Sequence, residues 1–532
     1  MTRLMQDYAA VQAERRPDAV AVVGGKDRLT YQQLDMWSNQ LARLIQQLGC
    51  QRGARVCLMV DKTPAAIVAM HAVLKADCVY VPIDNSSPAR RVCRILASCE
   101  PQVILADRSA KKLLDGIVAS DGPLRIPLVS IEDKPLAGEN YKSAVDFRDA
   151  EQLCAEDLDY ANQPNDAAHI LFTSGSTGEP KGVVITHENV THFIDWGTSF
   201  FGIGPQDRVS GHSPLHFDLS TFDIYGALSV GAQLYLVASS LNLVPTKLAQ
   251  FIRESKLTQW FSVPSALTHM MQFDAIKAGD FPELKRLMWC GEVLPTPTLI
   301  YLMERLPQAE FTNLYGPTEA TIASSYYRVT ECPGDAHQRI PIGEACSGEQ
   351  LLVLDDQLRP LPAGESGDLY IAGKGLSPGY WRDPDKTTSA FLERVDGEGR
   401  RQRIYKTGDV GCIGKTGLVE FFGRSDTQIK SRGYRIELGE IEAAFNAIDL
   451  LEECAIVAIS STGFESTAIC CAYVARNGNS VTPTELRKQA LQQLPRYMLP
   501  ARWNQLPQLP QNSNGKIDRP ALKEMFNSSE VD

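Results

Sequence analysis

Short apolar runs alternate along this chain with stretches whose apolar residues recur every three or four positions. RVCLMV has the continuous apolar character of a buried strand, TPAAIVAMHAVLKA has a helical period, and VYVPI is strand-like again. PARRVCRILASCE and PQVILAD repeat the pattern, and it returns at RVSGHSPL, STFDIYGALSV and QLYLV, then at TQWFSV, SALTHMMQF and RLMWCG. Such alternation predicts an α/β fold of doubly wound sheets with helices on both faces. From about residue 340 the texture changes to short strands, IPIGEAC, EQLLVLD, GDLYIAG and GLVEFFGR, so a β-rich subdomain is expected over about 340–425. Charged and small residues interrupt the strands at Asp426, where we place a boundary. A core domain over 1–425 is then followed by a smaller α+β unit over 426–532, ending in a polar tail after Arg519.

At 532 residues the chain is too long for one simple core. A net charge of −11 argues against a general nucleic-acid or anionic-membrane binder. No apolar run reaches the length of about eighteen residues needed to span a membrane, and the N-terminal segment lacks the features of a signal peptide. A cytoplasmic location is expected. The 13 cysteines sit mostly in apolar segments, without a C-x-x-C, and the eight histidines show no metal-ligand spacing. They read as buried reduced thiols.

One loop departs from this ordinary background. LFTSGSTGEPKG, residues 171–182, concentrates glycines, hydroxyls and one lysine between the apolar runs AAHI and VVITH. Missing Cβ atoms at Gly175 and Gly178 let an anion approach the backbone. Thr173, Ser174, Ser176 and Thr177 add donors, and Lys181 adds a positive charge. That chemistry suits a polyphosphate. The spacing is not that of a P-loop, because Pro180 precedes the lysine and Gly182 follows it. A flexible connector has the same composition, but the loop does not lie at a domain junction. Gly414-Lys415-Thr416 also resembles a P-loop fragment. Asp409 stands where its first glycine belongs, however, and a hairpin turn explains it better.

The chain also carries NLYGPTEAT (313–321), YKTGDVG (405–411), GRSDTQIKSRGYRIELGEIE (423–442) and NGKID (514–518). With LTYQQLD (29–35) and LKADCVYVPID before them, these motifs resemble the ANL superfamily of adenylating enzymes. The branch they resemble activates amino acids in nonribosomal peptide synthesis, and the resemblance runs over nearly the whole chain. It implies ATP and Mg²⁺ as cofactors. The 171–182 loop then grips the β- and γ-phosphates, and Lys516 is the catalytic cation bridging carboxylate and α-phosphate, although a solvated tail lysine is its ordinary alternative. Glu319 is the magnesium ligand and Thr318 the hydroxyl on the α-phosphate. Tyr315 stacks on adenine, with Asn313, Gly316, Gly291 and Glu292 around the nucleotide. Asp409 accepts the ribose hydroxyls, assisted by Arg424. Asp426 is the hinge about which the C-terminal unit turns after adenylation, taking Lys516 out and bringing RGYRIE in, so that Gly433 lines the passage for a phosphopantetheine arm. Lys430, on the same segment, is assigned no chemistry.

In HFDLSTFDIYGAL, Asp218 matches the position that binds a substrate α-amino group, although a helix N-cap is the ordinary alternative. The resemblance builds the rest of the pocket from Leu219, Phe222, Ser262, Met288, Cys290, Leu314, Ile322 and Ala323, closed by Lys516. Its bulky, neutral wall implies a small neutral amino acid, alanine first. Cys290 is a wall residue and not a nucleophile. WCGEVLP also resembles D-alanine–carrier protein ligases, which leaves chirality open. No carrier module is seen after Arg519, so the thiol is expected from a phosphopantetheinylated carrier protein acting in trans. An acyl- or aryl-CoA ligase is the alternative within the superfamily, and Asp218 speaks against it.

Overall fold

The computed structural model describes residues 3–138, 140–142, 145–175, 178–460, 467–476, 481–512 and 516–528. Two large mixed sheets carry the first part of the chain. The nine-stranded sheet runs in the order Glu344–Ala345, Ser325–Val329, Glu310–Tyr315, Arg286–Cys290, Gln259–Ser262, Arg208–Gly211, Gln233–Leu236, Val20–Gly24 and Asp27–Thr30. Its central strands are parallel and its edges antiparallel. The seven-stranded sheet runs Gly379–Tyr380, Lys181–Thr186, Ala167–Thr173, Val79–Pro82, Arg55–Met59, Val103–Ala106 and Leu128–Ser130. Helices pack over both, and one buried apolar cluster reaches from Met5 to Val419.

Local chemistry sets where these helices begin. Thr30 and Gln33 form a reciprocal capping box at the start of Tyr31–Gln47, and Thr186 and Asn189 do the same for His187–Phe201. Pro64 opens Pro64–Lys75 behind a Thr63 cap. No helix among the described residues is long and apolar enough to cross a membrane.

A five-stranded antiparallel sheet follows, built from Glu349–Leu354, Ser366–Gly373, Phe391–Val395, Arg401–Ile413 and Val419–Arg424. It begins later than the change of texture at about 340 suggests, because Ser325–Val329 and Glu344–Ala345 extend the nine-stranded sheet instead. Gly414-Lys415-Thr416 lies in the hairpin between the last two strands. There the Gly417 N–H donates to the Gly414 carbonyl at 3.0 Å.

Residues after Asp426 form the two-stranded hairpin Gln428–Ser431 and Tyr434–Glu437. A three-stranded sheet of Leu451–Ser460, Thr467–Ala475 and Arg502–Gln505 follows, and its faces are covered by two separate apolar clusters. The segment after Arg519 is not a free polar tail. Arg519–Ser528 is a helix whose Leu522 and Phe526, four residues apart, are buried in one of those clusters.

Candidate active site

The glycine-rich segment 171–182 joins two antiparallel strands, Ala167–Thr173 and Lys181–Thr186. It is therefore a hairpin loop and not the strand-to-helix turn of a P-loop. A Cβ at Gly175 would lie 2.2 Å from the Glu179 carbonyl oxygen, and Gly178 has φ +79°. Both positions thus require glycine. Ser176 and Thr177 lie outside the described residues.

A cavity of about 110 Å³ opens beside this loop. Thr173, Ser174, Asp218, Leu219, Cys290, Gly291, Gly316, Thr318, Asp409 and Arg424 line it. The hairpin Gln428–Glu437 closes it by presenting Lys430, Gly433, Tyr434 and Arg435. Residues from six separate motifs are thereby brought together.

Glu319, in a short turn after the strand Glu310–Tyr315, is fully buried. Its carboxylate accepts from Arg435 at 2.6 Å, Lys181 at 3.1 Å and Tyr380 at 2.8 Å. Burial alone would raise its pKa, but the Arg435 guanidinium and the Lys181 ammonium hold it well below the usual carboxylate range. The same burial, with Arg435 nearby, lowers the Lys181 pKa against the pull of Glu319. No group of three or more metal-ligating side chains occurs among the described residues. Glu319 fits a Mg²⁺ that takes its other ligands from phosphate and water, once Arg435 has left its second oxygen.

Asp218 is half-buried and stands at the N-cap of a short helix, but its side chain makes no capping bond. The Thr318 hydroxyl donates to it, and Lys430 lies within electrostatic reach. Burial outweighs both and pushes its pKa up to about 6. Cys290 is fully buried, its thiol pushed up to about 12 by desolvation, and its Sγ donates to the Ile322 carbonyl at 3.7 Å. A thiol so protected is no nucleophile.

Tyr315 donates to Asp409 Oδ2, and Arg424 donates to Asp409 Oδ1 at 2.6 Å. Arg424 also grips Asp426 through Nε at 2.8 Å and Nη2 at 2.6 Å, tying the ribose-site candidate to the hinge candidate. Gly433 has φ +79°, and its N–H donates to Glu292 Oε1 at 2.7 Å.

Several positions lie elsewhere than the motifs suggested. Lys516 does not reach the cavity. It is exposed, in a turn where its backbone pairs with Asn512, and the Gln428–Glu437 hairpin occupies the mouth that it was expected to close. Asn313 turns away to donate to the Pro341 carbonyl at 2.8 Å, and the Glu292 carboxylate accepts from the Ser265 and Gly433 N–H groups. Of the nine pocket positions, Asp218, Leu219 and Cys290 line the cavity. Phe222, Met288, Leu314 and Ile322 are packed into the main core, and the Ser262 hydroxyl is taken by Trp260 and the Val263 carbonyl. Ala323 borders a separate, smaller void beside His192 and Glu349. The Phe222 ring explains the closure. It packs edge-on against Phe193 and Phe261, and a Cβ at Gly197 would lie 2.8 Å from it.

Sequence reasoning missed Arg435, Tyr380 and the position of Lys430. Arg435 and Lys430 lie inside a quoted motif, so an orientation for that motif would have found them. Tyr380 comes from a distant edge strand and left no signal.

The AMP-binding enzyme family profile matches residues 9–381, and the profile of its C-terminal domain matches residues 440–516. The chain is 32% identical over 520 residues to an L-proline–[L-prolyl-carrier protein] ligase of Pseudomonas fluorescens, covering 98% of this chain and 99% of that protein. It is 32% identical to tyrocidine synthase 1 of Brevibacillus parabrevis over 96% of this chain, and spans 44% of that longer protein. An adenylation domain of Vibrio cholerae, solved with glycyl-adenosine-5'-phosphate, has a similar structure. It superposes with a TM-score of 0.84 at 27% identity, over 99% of this chain and 98% of that one. The glycine-rich hairpin loop, buried Glu319 and separate C-terminal unit thus occur in a chain that belongs to the AMP-binding enzymes, in their adenylation branch.

Proposed function

We propose that this chain activates a small neutral amino acid with ATP as an aminoacyl adenylate and passes the aminoacyl group to the phosphopantetheine thiol of a carrier protein. The observation that carries the reading is Asp218. It is a half-buried carboxylate at the cavity wall, its pKa raised to about 6, and its side chain does not cap the helix it begins. A substrate ammonium supplies the cation such a group lacks. The cavity wall of Leu219, Cys290 and Val263, with Phe222, Met288 and Leu314 packed into the core, supports a side chain of alanine to proline size. Named relatives acting on proline and glycine support the same range.

In the first step a carboxylate oxygen attacks the α-phosphorus of ATP, a P–O bond forms, and pyrophosphate leaves. Two anions meet in this step, so cations must offset the developing charge. Lys516 is assigned that task in an arrangement where it replaces the Gln428–Glu437 hairpin, with Asp426 as the hinge and the residues from 426 on moving as one body. The loop 173–178 and Lys181 hold phosphates, Tyr315, Asp409 and Arg424 hold the nucleoside, and Thr318 lies near the α-phosphate. Magnesium on Glu319, when bound, neutralises phosphate charge. In the second step the thiol sulfur bonds the acyl carbon, the carbon–oxygen bond to AMP breaks, AMP leaves, and the thiol proton passes to solvent. The arrangement with Gly433 at the cavity suits this second step.

Amino-acid-dependent ATP–pyrophosphate exchange across L- and D-amino acids tests the reading, and exchange with alanine-sized substrates is expected. Exchange only with acids lacking the amine would replace it with an acyl- or aryl-CoA ligase.

A further inference from the structure

Most contacts that dock the C-terminal unit involve groups already placed in the chemistry. Arg435 meets Glu319, Gly433 meets Glu292, and the Ser174 hydroxyl donates to the Arg435 carbonyl. One contact does not. Arg91, on the helix Ala89–Cys99 of the large part, pairs with Glu440 in the first turn of the helix Leu438–Asn446. The side chains are 5% and 2% exposed, so the pair is sealed from water. Two charges from two bodies, both taken out of solvent, define one relative orientation sharply. Either charge left alone in that place is strongly unfavourable, and the pair is satisfied only when both bodies are in register.

The position of Glu440 makes that register matter. Its helix begins directly after the strand Tyr434–Glu437, which carries Arg435 and follows Gly433 in the hairpin. Fixing Glu440 therefore fixes how deeply the hairpin enters the cavity. Tyr434, stacked on Tyr497 at 3.6 Å and edge-on to Phe217 at 5.0 Å, braces the same strand. The Glu440 carboxylate also faces the Gly175 N–H of the phosphate loop, and its Oε2 is buried with no hydrogen-bond partner among the described residues. The loop amide that suits a phosphate is thus turned toward a protein carboxylate in this arrangement.

We infer that Arg91 and Glu440 are positioning residues for the thioester-forming half-reaction, an ion-pair interlock that seats the Gly433 hairpin and has no part in adenylate formation. The inference rests on the two-step reading above. Its test separates the half-reactions in the full-length protein. Glu440→Gln and Arg91→Met are compared with wild type in amino-acid-dependent ATP–pyrophosphate exchange. They are also compared in single-turnover transfer from preformed aminoacyl adenylate to pantetheine, with the thioester followed by mass spectrometry. Exchange is expected to stay within about twofold while transfer falls at least about tenfold in each variant. Retained exchange also reports that the variants fold. The reversed pair, Arg91→Glu with Glu440→Arg, is expected to recover part of the lost transfer. A residue that merely supports the fold would lower both half-reactions together and would not be rescued by reversal. Transfer within about twofold of wild type in both single variants overturns the interlock. So does a parallel fall of exchange, or a reversed pair no better than the worse single variant. Wild-type protein without exchange for any amino acid overturns the functional reading itself, and this one with it.

Discussion

Asp218 lines the cavity and Glu319 is buried next to the lining residue Thr318, and burial pushes both carboxyl groups toward the neutral form. Two cations reverse the push at Glu319, whereas one hydroxyl and a more distant lysine do not at Asp218. One carboxylate is therefore firmly ionised and the other is protonated until about pH 6. Only the ionised form of Asp218 attracts an ammonium. A raised pKa thus means that amino-acid binding is complete above pH 6 and weakens as pH falls through it. The expected profile of kcat/KM for the amino acid rises with pH and levels off above about 6. Asp218→Asn removes that limb and lowers kcat/KM at all pH values, and Asp218→Ala abolishes amino-acid-dependent exchange while ATP binding, read by calorimetry, persists. An unchanged pH limb in Asp218→Asn would falsify this assignment. At this scale the sequence was informative about identity and less so about geometry. Motif positions identified Asp218 and Cys290 on the wall, but could not show that Phe222, Met288 and Leu314 are packed into the main core instead, since their neighbours come from distant segments.

The hairpin Gln428–Glu437 shows how one element imposes a backbone requirement. Gly433 sits at φ +79°, and a Cβ there would lie 2.7 Å from Val263 Cγ1 and 3.3 Å from the Phe217 ring. Both neighbours line the cavity mouth. Gly433→Val is therefore expected to combine strain in the left-handed region with obstruction of the mouth. Transfer to pantetheine should fall by more than about a hundredfold, while ATP–pyrophosphate exchange, run with the hairpin withdrawn, stays near wild type. Equal losses in both assays would mean that the glycine serves folding and not passage. Strand and helix order was legible here because buried runs and helical periods are local signals. The exceptions have non-local causes. Glu344–Ala345 was captured by the edge of the nine-stranded sheet, and the last helix formed because Leu522 and Phe526 found a sheet face to cover. The glycine-rich loop was recognisable by composition, yet only strand pairing reveals that it closes a hairpin.

Across the whole molecule, two segments of the C-terminal unit, Gly433 with its hairpin and Lys516 in its turn, are candidates for the same cavity, and only the first is there. The family resemblance implied that the two exclude one another, but not which contacts hold the observed docking, because those depend on how two separately cored bodies meet. The exclusion has a direct physical basis. Arg435 already occupies the Glu319 oxygen that a magnesium–phosphate complex would need, and Glu440 already faces the Gly175 amide. Under the proposed function, adenylation requires this docking to be undone, with Lys516 of the exposed turn as its proposed cation. If so, Lys516→Ala should affect only the step in which two anions meet. Removing one such contact is worth about 3 kcal/mol of transition-state stabilisation, or about two orders of magnitude in rate. Pyrophosphate release in a single turnover should slow by that factor. Transfer from supplied adenylate to pantetheine should remain at the wild-type rate, because Lys516 lies outside the cavity in the arrangement proposed for that step. The pattern is the mirror image of Gly433→Val. A Lys516→Ala protein that forms adenylate at full speed, or one that loses both steps equally, would mean that a single docking serves the entire reaction and that the exposed lysine is only a surface charge.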